Sequence, residues 1–303
     1  MSPGISSLTA TERLNFLVTN RIPRRMATRF MGWFSRIESP MLTRLSMLVW
    51  QLFADDLRLD EAQTKRFNSL QACFVRQLKQ GVRPLDQRDD VVISPCDAIV
   101  GACGPISGTT VFQAKGFPYE LADLIPDAPL REKYRDGIFV TLRLKSSMYH
   151  RFHAPIDGTL RQIIYISGDT WNVNPIALRR IEQLFCKNER AVLELAGSNA
   201  QGSICLVAVA AILVASIKLH ALDEALDMNY GGPSAHCCRD QYQKGQEMGY
   251  FQHGSTILLF GSAGHTLHEG VHSGARINMG QALLIKPNSQ ASLPQPKTLE
   301  KLK

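Results

Sequence analysis

Residues 203–217 read SICLVAVAAILVASI, and how this run is interpreted decides the fold. Its apolar stretch from Ile204 to Ile217 is 14 residues long, short of the ~20 that a helix needs to cross a bilayer. The run is rich in Val and Ile, whose branched side chains pack well on a pleated surface, so it reads as buried strand rather than membrane span. Working outward, the same texture recurs in DVVISP (90–95), AIVGACG (98–104), GIFVTLRL (137–144), GTLRQIIYISG (158–168), RAVLELAG (190–197), STILLFG (255–261) and ALLIKP (282–287), each bounded by Gly, Pro, Asp or Asn. Everything after Arg83-Pro84 is therefore expected to be β-rich. On the other side, from about residue 12 to 80, the pattern is helical. Ser39-Pro40 supplies a start signal for MLTRLSMLVWQLFADDL (41–57), and a further polar helix is expected through Phe67 to Leu78. The expected class is α+β: a helical, membrane-associating region over 1–80 followed by a β-rich catalytic domain over 81–303. Residues 1–10 and the last dozen, polar and rich in Ser, Pro, Gln and Lys, read as loose ends.

The chain has 303 residues, 45% hydrophobic and 20% charged, which excludes a collagen-like, coiled-coil or wholly disordered protein. Seven cysteines, an odd number without a C-x-x-C pair, suggest neither a disulfide framework nor a thiolate zinc site, and point to a reducing compartment. The early apolar residues are broken by Arg and Asn, so no signal peptide is read there.

Of the net charge of +7, nearly all sits between Arg13 and Arg44, where seven arginines (13, 21, 24, 25, 29, 36, 44) face one acid, Glu38. Phe16, Met26, Phe30, Trp33, Phe34, Met41 and Leu45 are interleaved with them, many at three-or-four spacing. A basic amphipathic helix of this kind lies in a lipid headgroup plane, its apolar side at the acyl boundary and its cations on anionic phosphates. The expectation is a peripheral protein on the cytoplasmic face of the cell membrane. The bland alternative is an ordinary helix packed on the body of the protein. Nucleic acid ranks lower, since no nucleic-acid-binding signature accompanies the arginines.

Three places carry reactive side chains. Asp97 follows a strand at the proline-broken turn Ser94-Pro95-Cys96-Asp97, where a turn-forming acid is the plain reading. His150 and His153 lie three apart in YHRFHAP (149–155); no third metal ligand of suitable spacing adjoins them, so acid/base work suits them better than metal. Ser255 follows Gly254 immediately before a strand, where a glycine allows backbone dihedrals that a Cβ forbids.

Taken together, YHRFHAP, KGQEMGYFQHGST (244–256), QAKGFPYELADL (113–124), IYISGD (164–169) followed by Val173-Asn174, and NERAV (188–192) resemble the bacterial, membrane-associated phosphatidylserine decarboxylases of the pyruvoyl-dependent, prokaryotic type I, over about residues 20 to 285. Two positions depart from that pattern. His253 precedes Gly-Ser-Thr where Leu is usual, and Ala98 follows Asp97 where Gly is usual. Neither removes a group that the chemistry consumes; His253, beside the scissile bond, bears on the rate and pH dependence of maturation.

The resemblance implies that the chain cuts itself between Gly254 and Ser255 into a 1–254 β chain and a 255–303 α chain, held together as a heterodimer or a dimer of heterodimers. It further implies that Ser255 attacks the Gly254 carbonyl with His153 as general base and Asp97 orienting the imidazole, as in a serine-protease triad. β-Elimination of the resulting ester to dehydroalanine, then hydrolysis by water with loss of ammonia, would leave pyruvate, as a covalent pyruvoyl group, at residue 255. That group would form a Schiff base with phosphatidylserine, draw off the electron pair released with CO2 and yield phosphatidylethanolamine. His150 is implied in positioning substrate or handling the replacing proton. Competing readings are a serine hydrolase, against which the missing G-x-S-x-G elbow speaks, an inert membrane-surface scaffold, and a soluble pyruvoyl-dependent amino-acid decarboxylase.

Overall fold

In this computed structural model, residues 23–54, 57–112, 118–198, 202–212, 216–227, 229–252 and 255–286 are described. Three helices come first: α1 (Arg24–Ser35), α2 (Pro40–Phe53) and the short α3 (Leu70–Phe74). The strands follow as β1 (Val91–Ile93), β2 (Ala98–Pro105), β3 (Thr110–Phe112), β4 (Pro118–Glu120), β5 (Ile138–Leu144), β6 (Arg151–His153), β7 (Gly158–Ile166), β8 (Arg190–Gly197) and β9 (Ser203–Ala210). Then come β10 (Ser216–Leu219), β11 (Leu226–Asp227), β12 (Ala235–Tyr242), β13 (Glu247–Phe251), β14 (Ser255–Gly261), β15 (Thr266–Leu267), β16 (Arg276–Ile277) and β17 (Ala282–Ile285).

Eight strands form one antiparallel sheet in the order β12-β7-β8-β9-β14-β5-β2-β16, and a smaller sheet runs β11-β10-β13-β6. The large sheet is covered on both faces. Along β14, Ile257 and Leu259 join the core cluster that includes Leu142, Leu206 and Phe152, while Leu258 and Phe260 join the opposite one with Phe139, Val207 and Tyr134. An antiparallel strand with one wet face alternates apolar and polar residues; these central strands have none, which is why their sequence reads as continuous apolar runs. The run at 203–217 divides into β9 and the start of β10, as expected from its strand-like composition.

The helices are shorter than their sequence suggests. α2 begins as read, with Ser39 accepting a hydrogen bond from the Leu42 N–H at 3.4 Å and Pro40 opening the first turn. It ends at Phe53, because Ala54 turns to extended backbone, rather than running to Leu57. The helix expected over Phe67 to Leu78 is reduced to Leu70–Phe74. Beyond it the backbone bonds elsewhere: Leu78 bridges Ala62, the Gln63 N–H donates to the Gln77 carbonyl at 2.8 Å and the Lys79 N–H to the Glu61 carbonyl at 2.9 Å. The expected loose ends at 1–10 and in the last dozen residues lie outside the described residues, as do Arg13 and Arg21.

α1 and α2 are amphipathic with their apolar side turned outward. Met26, Phe30 and Trp33 on α1 and Met41, Leu45, Leu48 and Leu52 on α2 are between 58% and 81% exposed. Thr28, Ser35 and Thr43 are the buried ones, and the Thr43 hydroxyl donates to the Asn68 carbonyl at 3.1 Å. Arg25, Arg29 and Arg44 are exposed beside the apolar stripes. Arg24 departs from the expected cationic face: its guanidinium pairs with Asp169 at 2.6 Å and lies 3.7 Å over the Trp171 ring, tying α1 to the body. No helix among the described residues is long and apolar enough to cross a membrane.

Candidate active site

The turn between β1 and β2 presents Asp97, which is 2% exposed. Its carboxylate accepts from Arg83 Nε at 2.9 Å, from Arg83 Nη2 at 2.6 Å and from the Met279 N–H at 2.9 Å. Arg83 Nη2 also donates to Glu61 at 2.7 Å. Burial pulls the Arg83 pKa down, but its hydrogen bonds to Asp97 and Glu61 outweigh this, so the net shift is upward and the guanidinium keeps its charge.

His153 closes β6, and its ring is held from both sides. Nδ1 lies 2.8 Å from the Gly245 carbonyl, and Nε2 lies 3.0 Å from the Tyr149 hydroxyl. A carbonyl only accepts, so Nδ1 carries the proton; in the neutral ring Nε2 is then the lone-pair nitrogen, and the Tyr149 O–H donates to it. Gly245 adopts φ +82, left-handed backbone that aims its carbonyl at the imidazole, and a Cβ there would come within 2.4 Å of Leu85. Burial lowers the His153 pKa below 6.5, and the bond to Gly245 offsets this in part, so the neutral ring is favoured. Burial also raises the Tyr149 pKa, so its hydroxyl keeps its proton.

Ser255 opens β14 between Leu144 of β5 and Ala210 of β9 and is fully buried. Its hydroxyl has no hydrogen-bond partner among the described residues, as is also true of the Thr256 hydroxyl beside it, and leaving such an atom unpaired costs about 1–3 kcal/mol. Ser255 lines a cavity of about 870 Å³. Phe34, Leu42, Leu45, Val49 and Trp50 from α1 and α2 make its apolar wall, and Arg143, Lys145 and Ser147 add polar groups from β5 and the turn after it. Leu45 and Val49 belong both to this wall and to the exposed stripe, so the cavity reaches the outer face of the helices. Phe74 also lines it and packs at 4.0 Å against His150, which is fully buried with Nδ1 2.7 Å from the Met148 carbonyl.

Asp97, His153 and Ser255 do not form the hydrogen-bonded chain that the triad analogy implies. The Asp97 oxygens are taken by Arg83 and Met279, and the His153 nitrogens by Gly245 and Tyr149. Asp97 meets His153 indirectly, through the turn whose Pro95 carbonyl accepts the His153 N–H at 2.8 Å and through its charge, which raises the imidazole pKa slightly against the larger effect of burial. Gly254 and His253 lie outside the described residues. Arg83 and Tyr149 escaped sequence reasoning. Arg83 had been read only as a boundary residue, and Tyr149 was visible inside YHRFHAP but its hydroxyl has no signature of its own. Among the described residues no group of three or more His, Cys, Asp or Glu stands ready for a metal.

Residues 70–285 match the family model described as phosphatidylserine decarboxylase. The chain is 34% identical to the phosphatidylserine decarboxylase proenzyme of Vibrio vulnificus over 272 residues, covering 86% of this chain and 94% of the relative. It is 33% identical to the proenzyme of Vibrio parahaemolyticus over 276 residues, 88% and 96% of the two chains, and 32% identical to that of Shewanella baltica over 286 residues, 89% and 96%.

Proposed function

Because the chain belongs to the phosphatidylserine decarboxylase family, we propose that it is a self-processing, pyruvoyl-dependent lyase that works on lipid at a membrane surface. The reaction is the conversion of phosphatidylserine to phosphatidylethanolamine and CO2, and the chain is made as a proenzyme. The observation that carries the finer reading is the unpartnered, fully buried Ser255 hydroxyl on the wall of an apolar cavity that reaches the exposed face of α1 and α2.

In this reading Ser255 Oγ attacks the Gly254 carbonyl carbon, the C–N bond breaks, and the proton leaving Oγ ends on the released amine. His153 is the base. Its Nδ1 is fixed as the donor by Gly245, its neutral form is favoured by burial, and the Tyr149 hydroxyl on Nε2 is the group through which the proton passes. Asp97, held by Arg83, supports that ring from the Pro95 turn. Ser255 suits conversion to a pyruvoyl group, since its Oγ, which would leave with the ester while Cβ becomes a methyl, gives up no hydrogen bond. When formed, that carbonyl supplies an electron sink for the pair released with CO2. His150, packed behind Phe74, which lines the cavity, is our candidate for the group that delivers the replacing proton.

The exposed apolar stripes flanked by Arg25, Arg29 and Arg44 suit an anionic bilayer, with α1 and α2 lying in the interface as a peripheral anchor. A cavity of this size and lining suits acyl chains better than a free amino acid. The test is denaturing mass spectrometry of the wild-type and Ser255→Ala chains beside CO2 release from phosphatidylserine vesicles. Two fragments, the smaller bearing a borohydride-reducible carbonyl, are expected for the wild type, and one inactive chain for the variant. A wild-type chain that is active while unbroken overturns the reading.

A further inference from the structure

Arg143 lies near the end of β5, opposite Thr256 of β14 and Ile99 of β2, and lines the same cavity as Ser255. It is half-buried, and among the described residues its guanidinium has no ion pair and no hydrogen bond. Other sequestered arginines have ion-pair or carbonyl partners. Arg83 holds Asp97 and Glu61, Arg76 donates to the Cys73, Leu57 and Ser147 carbonyls, Arg151 pairs with Glu247, and Arg190 donates to four carbonyls. Burial alone pulls the Arg143 pKa down, with no nearby carboxylate opposing it. A guanidinium stripped of water with nothing returned is unfavourable, and a site that keeps one gains when an anion arrives.

We propose that Arg143 holds the phosphodiester of the lipid headgroup during decarboxylation, a role that rests on the reading of Ser255 as the reacting residue. Leu144, its neighbour, pairs directly with Ser255 across strands that stand about 4.8 Å apart. Ser255 opens β14 where Leu144 closes β5; the strand alternation puts Arg143, paired with Thr256, on the other face from Ser255, yet both residues line the one cavity at that end of the sheet. In phosphatidylserine the reacting α-carbon is separated from phosphorus only by Cβ and one ester oxygen. A long side chain one residue along the adjacent strand therefore reaches the phosphate when the α-carbon is at residue 255.

The headgroup offers two anions, and energetics selects between them. The carboxylate loses its charge on becoming CO2, so a cation bound to it stabilises the ground state more than the transition state and slows the step. The phosphate keeps its charge throughout, and holding it orients the headgroup without that penalty. The planar fork of arginine also matches two phosphate oxygens, which a lysine cannot do.

The experiment compares wild type, Arg143→Gln and Arg143→Lys as full chains on short-chain phosphatidylserine in solution. Mass spectrometry first verifies cutting. Then kcat and KM are measured with the inhibition constant of short-chain phosphatidylethanolamine, which keeps the phosphate and lacks the carboxylate. Arg143→Gln is expected to raise KM and this inhibition constant together, each by about ten- to hundredfold, with a smaller effect on kcat; Arg143→Lys gives a smaller parallel rise. A rise in KM with an unchanged inhibition constant places the guanidinium on the carboxylate and overturns the proposal, as do two unchanged constants. Should Arg143→Gln remain uncut, the constants are read on Arg143→Lys, and a lysine variant that also remains uncut overturns the proposal in favour of a role in maturation. If the wild type releases no CO2 at all, the decarboxylase reading fails separately, and direct binding of short-chain phosphatidylethanolamine to wild type and variants still decides the role of Arg143.

Discussion

Replacing Phe30 and Trp33 by serine tests whether the outward apolar stripe docks on lipid. These rings are 60% and 62% exposed. An aromatic side chain carries ~150–250 Å², so each presents roughly 120 Å² to solvent, worth about 3 kcal/mol at ~25 cal/mol per Å² if fully withdrawn from water. A helix lying in the interface plane withdraws about half of that, so the double variant should lose about 3 kcal/mol of binding, or roughly a hundredfold in vesicle affinity. Its folding should be almost unaffected, because both rings face away from the core, and the phenylalanine–tryptophan contact at 5.8 Å is lost without opening a cavity. The assay is co-sedimentation with vesicles containing anionic phospholipid, at low and high salt. Arg25→Gln with Arg29→Gln serves as the electrostatic counterpart, expected to cost about 1 kcal/mol per charge and to lose its effect as salt rises. Unchanged vesicle affinity of the aromatic variant at both salt concentrations would refute the reasoning, and a change in solution oligomeric state instead would assign the stripe to a second copy of the chain.

Two further outcomes follow from buried charge. Arg83→Met leaves the Asp97 carboxylate uncompensated and should cost about 3–5 kcal/mol, seen as a lower thermal midpoint and slower self-cleavage, whereas adding Asp97→Asn should recover much of the stability but not the cleavage. Glu189 is 1% exposed, and burial, partly offset by its hydrogen bond from Tyr165, pushes its carboxyl up to about 8 from 4.5. An acid with a raised folded pKa binds more protons folded than unfolded between those values, so its contribution is full below about 4.5 and is lost as pH rises towards about 8. Glu189→Gln should therefore gain stability over wild type, by a few kcal/mol at most, as pH is raised through that window; parallel stability curves for the two proteins would contradict this.

The strand runs were legible because burial on both faces of the large sheet left an apolar signal along most of its central strands, with Gly, Pro and Asp marking the ends. The start of α2 was legible for a similar local reason, since Ser39 caps through a neighbour three residues on, whereas the helix expected from Phe67 starts only at Leu70, capped by Ser69. Helix ends were not legible. The residues after Phe74 prefer a bridge to Ala62 and Gln63, a competitor that no local propensity reveals. The residues proposed to react stand out by type and order, but their partners were hidden. Asp97 answers to Arg83 and Met279, and His153 to Gly245, 92 positions away.

The amino-acid order alone pointed to the family this chain joins and to the side chains proposed to carry its chemistry, because both are read from short motifs. It also placed the arginines near the N-terminus without saying which way they point. Folding decided that: Arg24 turned inward to Asp169, while Arg25 and Arg29 stayed outside with Phe30 and Trp33. Folding likewise left Arg143 desolvated beside Ser255 and kept Asp97 off the imidazole it resembles a partner for. Contacts between strands far apart in the chain depend on sheet register and on which charges the core will tolerate, and neither is encoded in any window of neighbouring residues.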